Sequence, residues 1–298
     1  MIKNILPNPL KIQSRIINDV SCLKKDLYSN LFIIRHAESR FNKAIHDISE
    51  GLKNKNISKN EFDQRNSEIR FGQDFIDPPL TDLGQDQCLE AANILKTLEI
   101  KYVFVSPLVR TLMTLESIIE RVNKNSSSKK INPKVVVHPI IFEKIEDSCD
   151  LILDLNKNRK NFSHYDWSLF DRLDHPPAYQ LKYCNEVGLN LFEKAIAHFK
   201  INNVYDHHKL ILKEMEKLSI EKKFIESSLS TFDRLENFDS YLKSYMEKNH
   251  VGKDENILIV GHSVLFRHLM AKTIHEDSKK PNETETLKNC QIANIKRI

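Results

Sequence analysis

Histidine and arginine side chains follow three short apolar segments of this 298-residue chain. Arg35 and His36 come after Leu-Phe-Ile-Ile, Arg110 comes a few residues after Tyr-Val-Phe-Val, and His262 follows Ile-Leu-Ile-Val-Gly. Histidine can attack phosphorus or transfer protons, and the planar arginine fork binds two phosphate oxygens. An Arg-His pair is common by chance. An Arg-His pair that occurs together with the Arg and His after the other two segments is not. The pattern indicates a site that handles an anion.

The elements that must position these side chains are strands of one sheet. Four segments are apolar, β-branched or aromatic and are bounded by polar residues, as expected for buried parallel strands. They are residues 31–34, 102–105, 135–137 and 257–260. Amphipathic helices are predicted after Thr81 and after Ser106-Pro107, with Ser106 as the N-cap. The alternation predicts an α/β fold, in which ligands bind at the carboxyl ends of the strands.

Composition and charge exclude several classes of protein. Lys and Arg number 45 against 41 Asp and Glu, an excess too small and too dispersed for a nucleic-acid surface. Charged residues interrupt each apolar run well before the roughly 18 residues that a membrane span needs. The five cysteines have no CxxC spacing, and no GxGxxG or GxxxxGK[ST] loop is present. We expect a cytoplasmic protein with reduced cysteines that binds neither nucleic acid nor membrane.

Polar and low-complexity stretches suggest the domain organisation. Residues 46–66 and 123–132 are rich in Lys, Asn and Ser and are predicted to be surface loops, whereas residues 150–250 have a mostly helical pattern. We predict an N-terminal extension over 1–30, one domain over 31–275 and a C-terminal segment over 276–298. Cap or insert regions are expected at about 43–76 and 150–250 of that domain.

Four motifs occur in an order that resembles one known family. They are RHAESRFN at 35–42, PLTDLGQDQ at 79–87, SPLVRTLMT at 106–114 and VGHS at 260–263. Together they resemble the histidine phosphatase superfamily, also called phosphoglycerate-mutase-like. The resemblance implies a three-layer α/β/α sandwich with a mostly parallel central sheet and, here, helical insertions.

The same resemblance implies roles for the residues of these motifs. His36 would attack phosphorus and form a phosphohistidine, with its second ring nitrogen fixed by an acceptor such as a backbone carbonyl. Arg35, Arg110 and the Asn42 amide would bind the phosphate oxygens, and His262 would complete the phosphate site as a further donor. No cofactor is implied, and no metal site is identified.

The proton donor is expected just after the third strand. Glu143 lies at the position where the family places this acid, and it must be partly buried to carry a proton near neutral pH. Glu146 and Asp147 are the alternatives. The acid-phosphatase branch is a poor match, because it carries its proton donor at the second position of the histidine motif, and no Asp follows His262 there.

Two further positions bear on the comparison with the family. Ala37 stands where the family usually has glycine, which is tolerable if the backbone there does not need a positive φ. The mutase-type segment NRFxGW is only faintly similar to residues 70–74, which lack tryptophan. We therefore expect a phosphatase acting on a small-molecule phosphate monoester. A phosphomutase and a catalytically inactive, ligand-binding member are the alternatives, and no oligomeric state is predicted.

Overall fold

A computed structural model describes most of the chain. The described residues are 17–18, 30–124, 130–172, 179–199, 204–221, 223, 225–252, 255–271, 273–274 and 286–295. The N-terminal extension predicted over 1–30 therefore lies outside the described residues, apart from 17–18 and 30. Of the C-terminal segment predicted over 276–298, residues 286–295 are described.

One or more helices separate the successive parallel strands along the chain. The strands are β1 (Ile17–Asn18), β2 (Leu31–Arg35), β3 (Ile100–Val105), β4 (Lys134–Val137), β5 (Asn256–Gly261), β6 (Thr273–Ile274) and β7 (Ile292–Asn294). The helices are α1 (Arg40–Lys53), α2 (Lys59–Arg70), α3 (Asp82–Leu95), α4 (Val109–Lys124), α5 (Leu155–Asn161), α6 (Glu186–Phe199), α7 (Val204–Ile220), α8 (Ser228–Lys248) and α9 (Ser263–Leu269).

The central sheet has the strand order β4-β3-β5-β2-β7. The first four of these strands are parallel, and β7 pairs antiparallel with β2. The four parallel strands are the four predicted from the sequence, each observed with bounds one or two residues wider. A separate pair is formed by β1 and β6, which run antiparallel.

Helices cover both faces of the sheet, because successive side chains of a buried strand point to opposite faces. Ile34 belongs to the apolar cluster that includes Cys88 of α3 and Leu112 of α4. Ile33 belongs to the cluster on the other face, with Phe238 of α8 and Leu265 of α9. The predicted three-layer α/β/α arrangement is confirmed.

The prediction of a surface loop over 46–66 is wrong, because this segment contributes to helices α1 and α2. Ser39 and Ser58 cap the two helices by accepting hydrogen bonds from backbone N–H groups of their first turns. An ion pair between Lys43 and Asp47, four residues apart, lies on the exposed side. Phe41 on the opposite side packs into a small apolar cluster with α2. Most residues of this segment are polar and only a narrow stripe of apolar side chains is buried, so its composition predicted a loop.

The segment between β4 and β5 is largely helical, as its sequence pattern predicts. It contains α5, α6, α7 and the long α8, and α6 packs against α7. Among the described residues, no helix combines the length and the apolar character that a membrane span requires.

Candidate active site

Strand order brings the sequence-predicted residues together at one edge of the sheet. Strands β3, β5 and β2 are neighbours, and the backbone N–H groups that follow β2 and β3 both bond to β5. His36 N donates to Gly261 O at 3.0 Å, and Ser106 N donates to Val260 O at 3.1 Å. The His36 and His262 ring centroids consequently lie 5.4 Å apart. These residues occupy the carboxyl edge of the parallel sheet, where ligands bind in such folds.

The ring of His36 is held in one tautomer. Nδ1 lies 2.7 Å from the backbone oxygen of Ala37, so it carries the proton and donates. Nε2 accepts a hydrogen bond from Arg110 Nε at 3.2 Å. Burial lowers the pKa of His36 well below 6.5, and the charges of Arg110 and Arg35 lower it further. The ring is therefore neutral near pH 7, and the lone pair of its Nε2 faces Arg110.

Arg110 lies in the first turn of α4 and is 2% exposed. Its Nη1 donates to the backbone oxygen of Cys149, and its Nη2 donates to Asp150 Oδ1 at 3.2 Å. Its Nε donates to His36 Nε2. The guanidinium therefore joins the predicted nucleophile to the segment around Asp150.

The start of α4 differs from the prediction that Ser106 is its N-cap. The N–H of Val109, the first helical residue, donates to Asp77 Oδ1 at 2.7 Å. Ser106 Oγ instead accepts from Leu108 N and lies 2.8 Å from His262 Nε2. A buried carboxylate thus caps the helix, and the serine hydroxyl contacts the second histidine.

His262 is fully buried at the end of β5, where it precedes α9. Burial lowers its pKa well below 6.5, and the charge of Arg110 acts in the same direction. Because Ser106 Oγ can donate to Nε2, the ring proton can reside on Nδ1. That Nδ1 atom is buried and has no hydrogen-bond partner among the described residues.

Arg35 ends β2 and adjoins His36 in the chain. Its Nη1 donates to the backbone oxygen of Leu287 at 2.9 Å. Its Nε is buried and, within the described part of the chain, has no partner. Buried donors in folded proteins are almost always paired. Arg35 adjoins His36 and the His262 ring lies 5.4 Å from it, so both unpartnered nitrogens belong to residues beside His36.

The amide oxygen of Asn42 belongs to the N-terminus of α1. Oδ1 accepts from Ser39 N at 3.2 Å and from Ser39 Oγ at 3.1 Å, which completes a capping box. Asn289 Nδ2 donates to the same oxygen at 3.3 Å. The phosphate-binding role expected for Asn42 would thus fall to its Nδ2 group.

Glu143 is buried and contacts the start of α9. Its two carboxylate oxygens accept from Val264 N at 3.0 Å, from Leu265 N at 2.8 Å and from Lys144 N at 2.9 Å. Burial raises the pKa of Glu143, and these N–H bonds and the charge of Arg110 oppose the rise. Glu143 therefore lies next to the residues that follow His262, and its carboxylate oxygens bind backbone N–H groups at the start of α9.

The two alternative acids form ion pairs with other side chains. Glu146 lies 2.8 Å from Lys144 Nζ. Asp147 binds Arg70 at the end of α2 with both of its oxygens, at 2.7 and 2.8 Å. Neither pair includes a residue of the His36 site.

The described part of the C-terminal segment reaches the site, which sequence reasoning missed. Asn289 Nδ2 donates to the backbone oxygen of His36 at 3.1 Å, and Cys290 N donates to that of Arg35 at 3.1 Å. No motif marks these residues. The only sequence signal is the short apolar run from Ile292, which forms β7 beside β2.

Thr114 and Ala37 complete the hydrogen bonds around the loop of His36. Ala37 N donates to Thr114 Oγ1 at 3.0 Å, and Thr114 Oγ1 donates to Arg110 O at 2.7 Å. Ala37 is not among the residues with positive φ in the described chain, so the alanine fits without backbone strain. The threonine of the third motif thus connects the His36 loop to α4.

One cluster has ligand types that a metal could use. The ligand atoms of Asp147, Cys149 and Asp150 lie within 4.8 Å of one another. Arg70 binds the carboxyl group of Asp147 and Arg110 binds that of Asp150, so both groups already have guanidinium partners.

Comparisons with known proteins agree with the motifs over part of the chain. A family model of the histidine phosphatase superfamily (branch 1) matches residues 31–131. This range contains Arg35, His36 and Arg110, whereas Glu143 and His262 lie beyond it. The resemblance stated from the motifs is confirmed there. A search of curated proteins finds no match.

Several solved structures align with most of this chain at low sequence identity. A mycobacterial glucosyl-3-phosphoglycerate phosphatase in complex with VO3 is 14% identical, with coverage of 89% of this chain and 90% of that chain and a TM-score of 0.43. A phosphoglycerate mutase from Bacillus anthracis str. Sterne is 12% identical, with coverage of 83% and 81% and a TM-score of 0.39. A putative alpha-ribazole-5'-P phosphatase from Escherichia coli is 13% identical, with coverage of 82% and 79% and a TM-score of 0.33.

Proposed function

We propose that the protein hydrolyses a small phosphate monoester through a phosphohistidine on His36. Residues 31–131 match the family model of the histidine phosphatase superfamily (branch 1). The observation that carries the proposal is the surroundings of His36 Nε2. This atom is unprotonated and buried, and it contacts a guanidinium. Arg35 Nε, in the residue before His36, and Nδ1 of His262, whose ring lies 5.4 Å from that of His36, are buried nitrogens without partners among the described residues.

The first step would be in-line attack of His36 Nε2 on phosphorus, for which the Arg110 Nε–H that donates to Nε2 in the free site would turn to a phosphate oxygen. The Nε2–P bond forms as the P–O bond to the alcohol breaks, and the Glu143 carboxyl gives its proton to the departing oxygen. Arg35, Arg110 and His262 would hold the equatorial oxygens, whose charge the buried site stabilises more strongly than water does. Asn42 would contribute a further N–H from its amide.

The second step would return the enzyme to its starting state. The Glu143 carboxylate takes a proton from a water molecule as the water oxygen attacks phosphorus and the Nε2–P bond breaks. Inorganic phosphate leaves, and Glu143 is again protonated. Two easier displacements thus replace one difficult displacement.

The test combines turnover with trapping of the intermediate. Purified protein is assayed with p-nitrophenyl phosphate, and acid-labile, base-stable phosphate on the protein is mapped by mass spectrometry. The His36→Asn variant is expected to lose turnover and labelling. His138→Asn is the matched control, because His138 is also buried at the end of a strand but its ring packs against Phe238 and Tyr241 of α8.

Three outcomes would contradict the proposal. Unchanged hydrolysis by His36→Asn would remove the nucleophile, and turnover without label on His36 would remove the covalent intermediate. Retention of the phosphoryl group on a second site of the substrate, in place of release as inorganic phosphate, would favour the phosphomutase alternative.

A further inference from the structure

The orientation of Arg110 is set by two groups behind it. Its Nη1 and Nη2 donate to the backbone oxygen of Cys149 and to the carboxylate of Asp150. Because a guanidinium is planar, these two bonds decide where its Nε–H points. That direction is toward His36 Nε2, the atom on which the proposed function places the phosphoryl group.

Asp150 is itself held firmly by the backbone. It is 4% exposed, and its Oδ2 accepts from Glu146 N at 3.1 Å and from Asp147 N at 3.0 Å. Its Oδ1 is then directed at Arg110 Nη2, 3.2 Å away. The side chain lies in a short helical turn, Ser148–Asp150, whose N-cap is Asp147.

The turn that carries Asp150 is hydrogen-bonded to the end of α2. Arg70 of α2 binds Asp147, and Ser148 Oγ donates to the backbone oxygen of Ile69 at 3.3 Å. The carboxylate therefore has little freedom to follow Arg110 if the guanidinium turns. A fixed acceptor orients its partner, whereas a mobile acceptor would only accompany it.

We propose that Asp150 is a positioning residue that aims the Arg110 guanidinium at the phosphate on His36. It does so from the side away from the histidine, in a salt bridge whose side chains are 3% and 5% exposed. This role rests on the proposed function, since it concerns the same phosphate site. Asp150 itself touches neither His36 nor the reacting atoms.

The test replaces the carboxylate by a group of similar shape. In Asp150→Asn the amide oxygen can still accept from the backbone N–H groups of Glu146 and Asp147, but an NH2 group then faces Arg110 Nη2 and cannot accept from it. We expect weaker binding of inorganic phosphate and about 100-fold lower kcat/KM for p-nitrophenyl phosphate, because a small misplacement of a binding group has an effect of that order. The control is Asp239→Asn, a buried aspartate of α8 that pairs with Lys243, which should retain wild-type values.

A double-mutant cycle distinguishes positioning from a general structural effect. If Asp150 acts through Arg110, then Arg110→Gln and the double variant Arg110→Gln/Asp150→Asn bind phosphate equally weakly. Additive losses, or wild-type phosphate affinity in Asp150→Asn, would overturn the proposal. Should Asp150→Asn not fold, the cycle is run with Asp150→Glu, which keeps the charge and displaces it by one methylene group, and the same two outcomes apply.

Failure of the proposed function would look different. Wild-type protein that binds inorganic phosphate but neither hydrolyses monoesters nor forms phosphohistidine would contradict the proposed function. The phosphate-affinity cycle would still decide whether Asp150 aims Arg110.

Discussion

A histidine that attacks phosphorus must be neutral, and the surroundings of His36 favour that state. Burial and two neighbouring guanidinium groups lower its pKa, while the Ala37 carbonyl, which accepts from Nδ1, has a smaller and opposite effect. Because its pKa is lowered, the ring loses its proton at a lower pH than an ordinary histidine does. His36 is thus unprotonated across the neutral range, as the proposed attack requires.

The pH dependence of kcat/KM follows from this. We expect the acid limb to lie below pH 6.5 in the wild-type enzyme, because protonation of His36 in the free enzyme abolishes attack. In Arg110→Gln the limb should move up by about one to two pH units, since one positive neighbour is removed. Rate profiles from pH 4 to 8 test this, with Arg159→Gln as the control, because Arg159 is exposed and pairs with Asp171. An unshifted limb in Arg110→Gln would contradict the assignment.

Glu143 has an observed role as a helix cap and a proposed role as an acid, and experiment can separate the two. As a helix cap it accepts from Val264 N and Leu265 N, and as an acid it would protonate the leaving oxygen. Loss of the cap would slow all substrates equally. Loss of the proton would slow most strongly those substrates whose leaving group is a poor one.

We therefore expect Glu143→Gln to depend on the leaving group. The single-turnover rate of phosphohistidine formation should fall about 100-fold or more with phenyl phosphate. With p-nitrophenyl phosphate, whose leaving group needs little protonation, it should fall far less. Equal losses would leave Glu143 only its capping role. Glu146→Gln, measured in parallel, tests the neighbouring acid.

At the scale of elements, α3 packs directly on the loop that follows His36. Thr81, its N-cap, donates from N to the backbone oxygen of Glu38 at 3.0 Å, and its Oγ1 donates to Glu38 Oε1 at 2.7 Å. A side-chain carbon at Gly84 would lie 2.2 Å from the same backbone oxygen. Glycine is required there by close approach of two backbones.

Gly84→Ala should separate α3 from this loop. We expect a loss of about 1–3 kcal/mol in the free energy of unfolding, as for other forced insertions into packed sites, and lower kcat. Gly51→Ala in α1 is the matched control: its added carbon meets Ile57 at an ordinary 3.5 Å, and alanine favours a helix. Chemical denaturation of both variants is the measurement. A Gly84→Ala protein as stable as Gly51→Ala would show that α3 can shift freely.

At the scale of the whole molecule, a buried ion pair joins α8 to the loop before Glu143. Arg234 Nη2 lies 2.6 Å from Glu226 Oε1, and both side chains are at most 1% exposed. Arg234 Nη1 donates to the backbone oxygens of Ile140 and Phe142. Glu226 Oε2 accepts from Ile145 N at 2.9 Å. The pair therefore holds the segment from 140 to 145 against the helical layer.

Removing one member of this pair leaves an uncompensated buried charge. Arg234→Met is expected to lower the free energy of unfolding by about 3–5 kcal/mol. Arg65→Met removes the exposed pair with Glu61, in which Arg65 is 52% exposed, and should cost less than about 1 kcal/mol. Denaturant unfolding followed by circular dichroism compares the two. Equal effects would mean that the buried pair contributes no more than a surface pair does.

Local patterns were sufficient to predict the four parallel strands and the helices after Thr81 and Ser106. Apolar runs and helical periodicity report burial directly, and burial is what holds these elements in place. The pattern failed over 46–66, where two capped helices bury only a narrow apolar stripe. It also failed for Asn289 and Cys290, because contacts between residues some 250 positions apart leave no local trace.

The sequence by itself determined which residues could do the chemistry, since His36, His262, Arg35 and Arg110 stand at the ends of recognisable strands or helices. Tertiary structure alone decided their states. The neutral His36, the direction of Arg110 and the contacts of Glu143 depend on burial and on partners from distant segments. Protonation and orientation are set by the local electric field and packing, which exist only after the strands have assembled side by side.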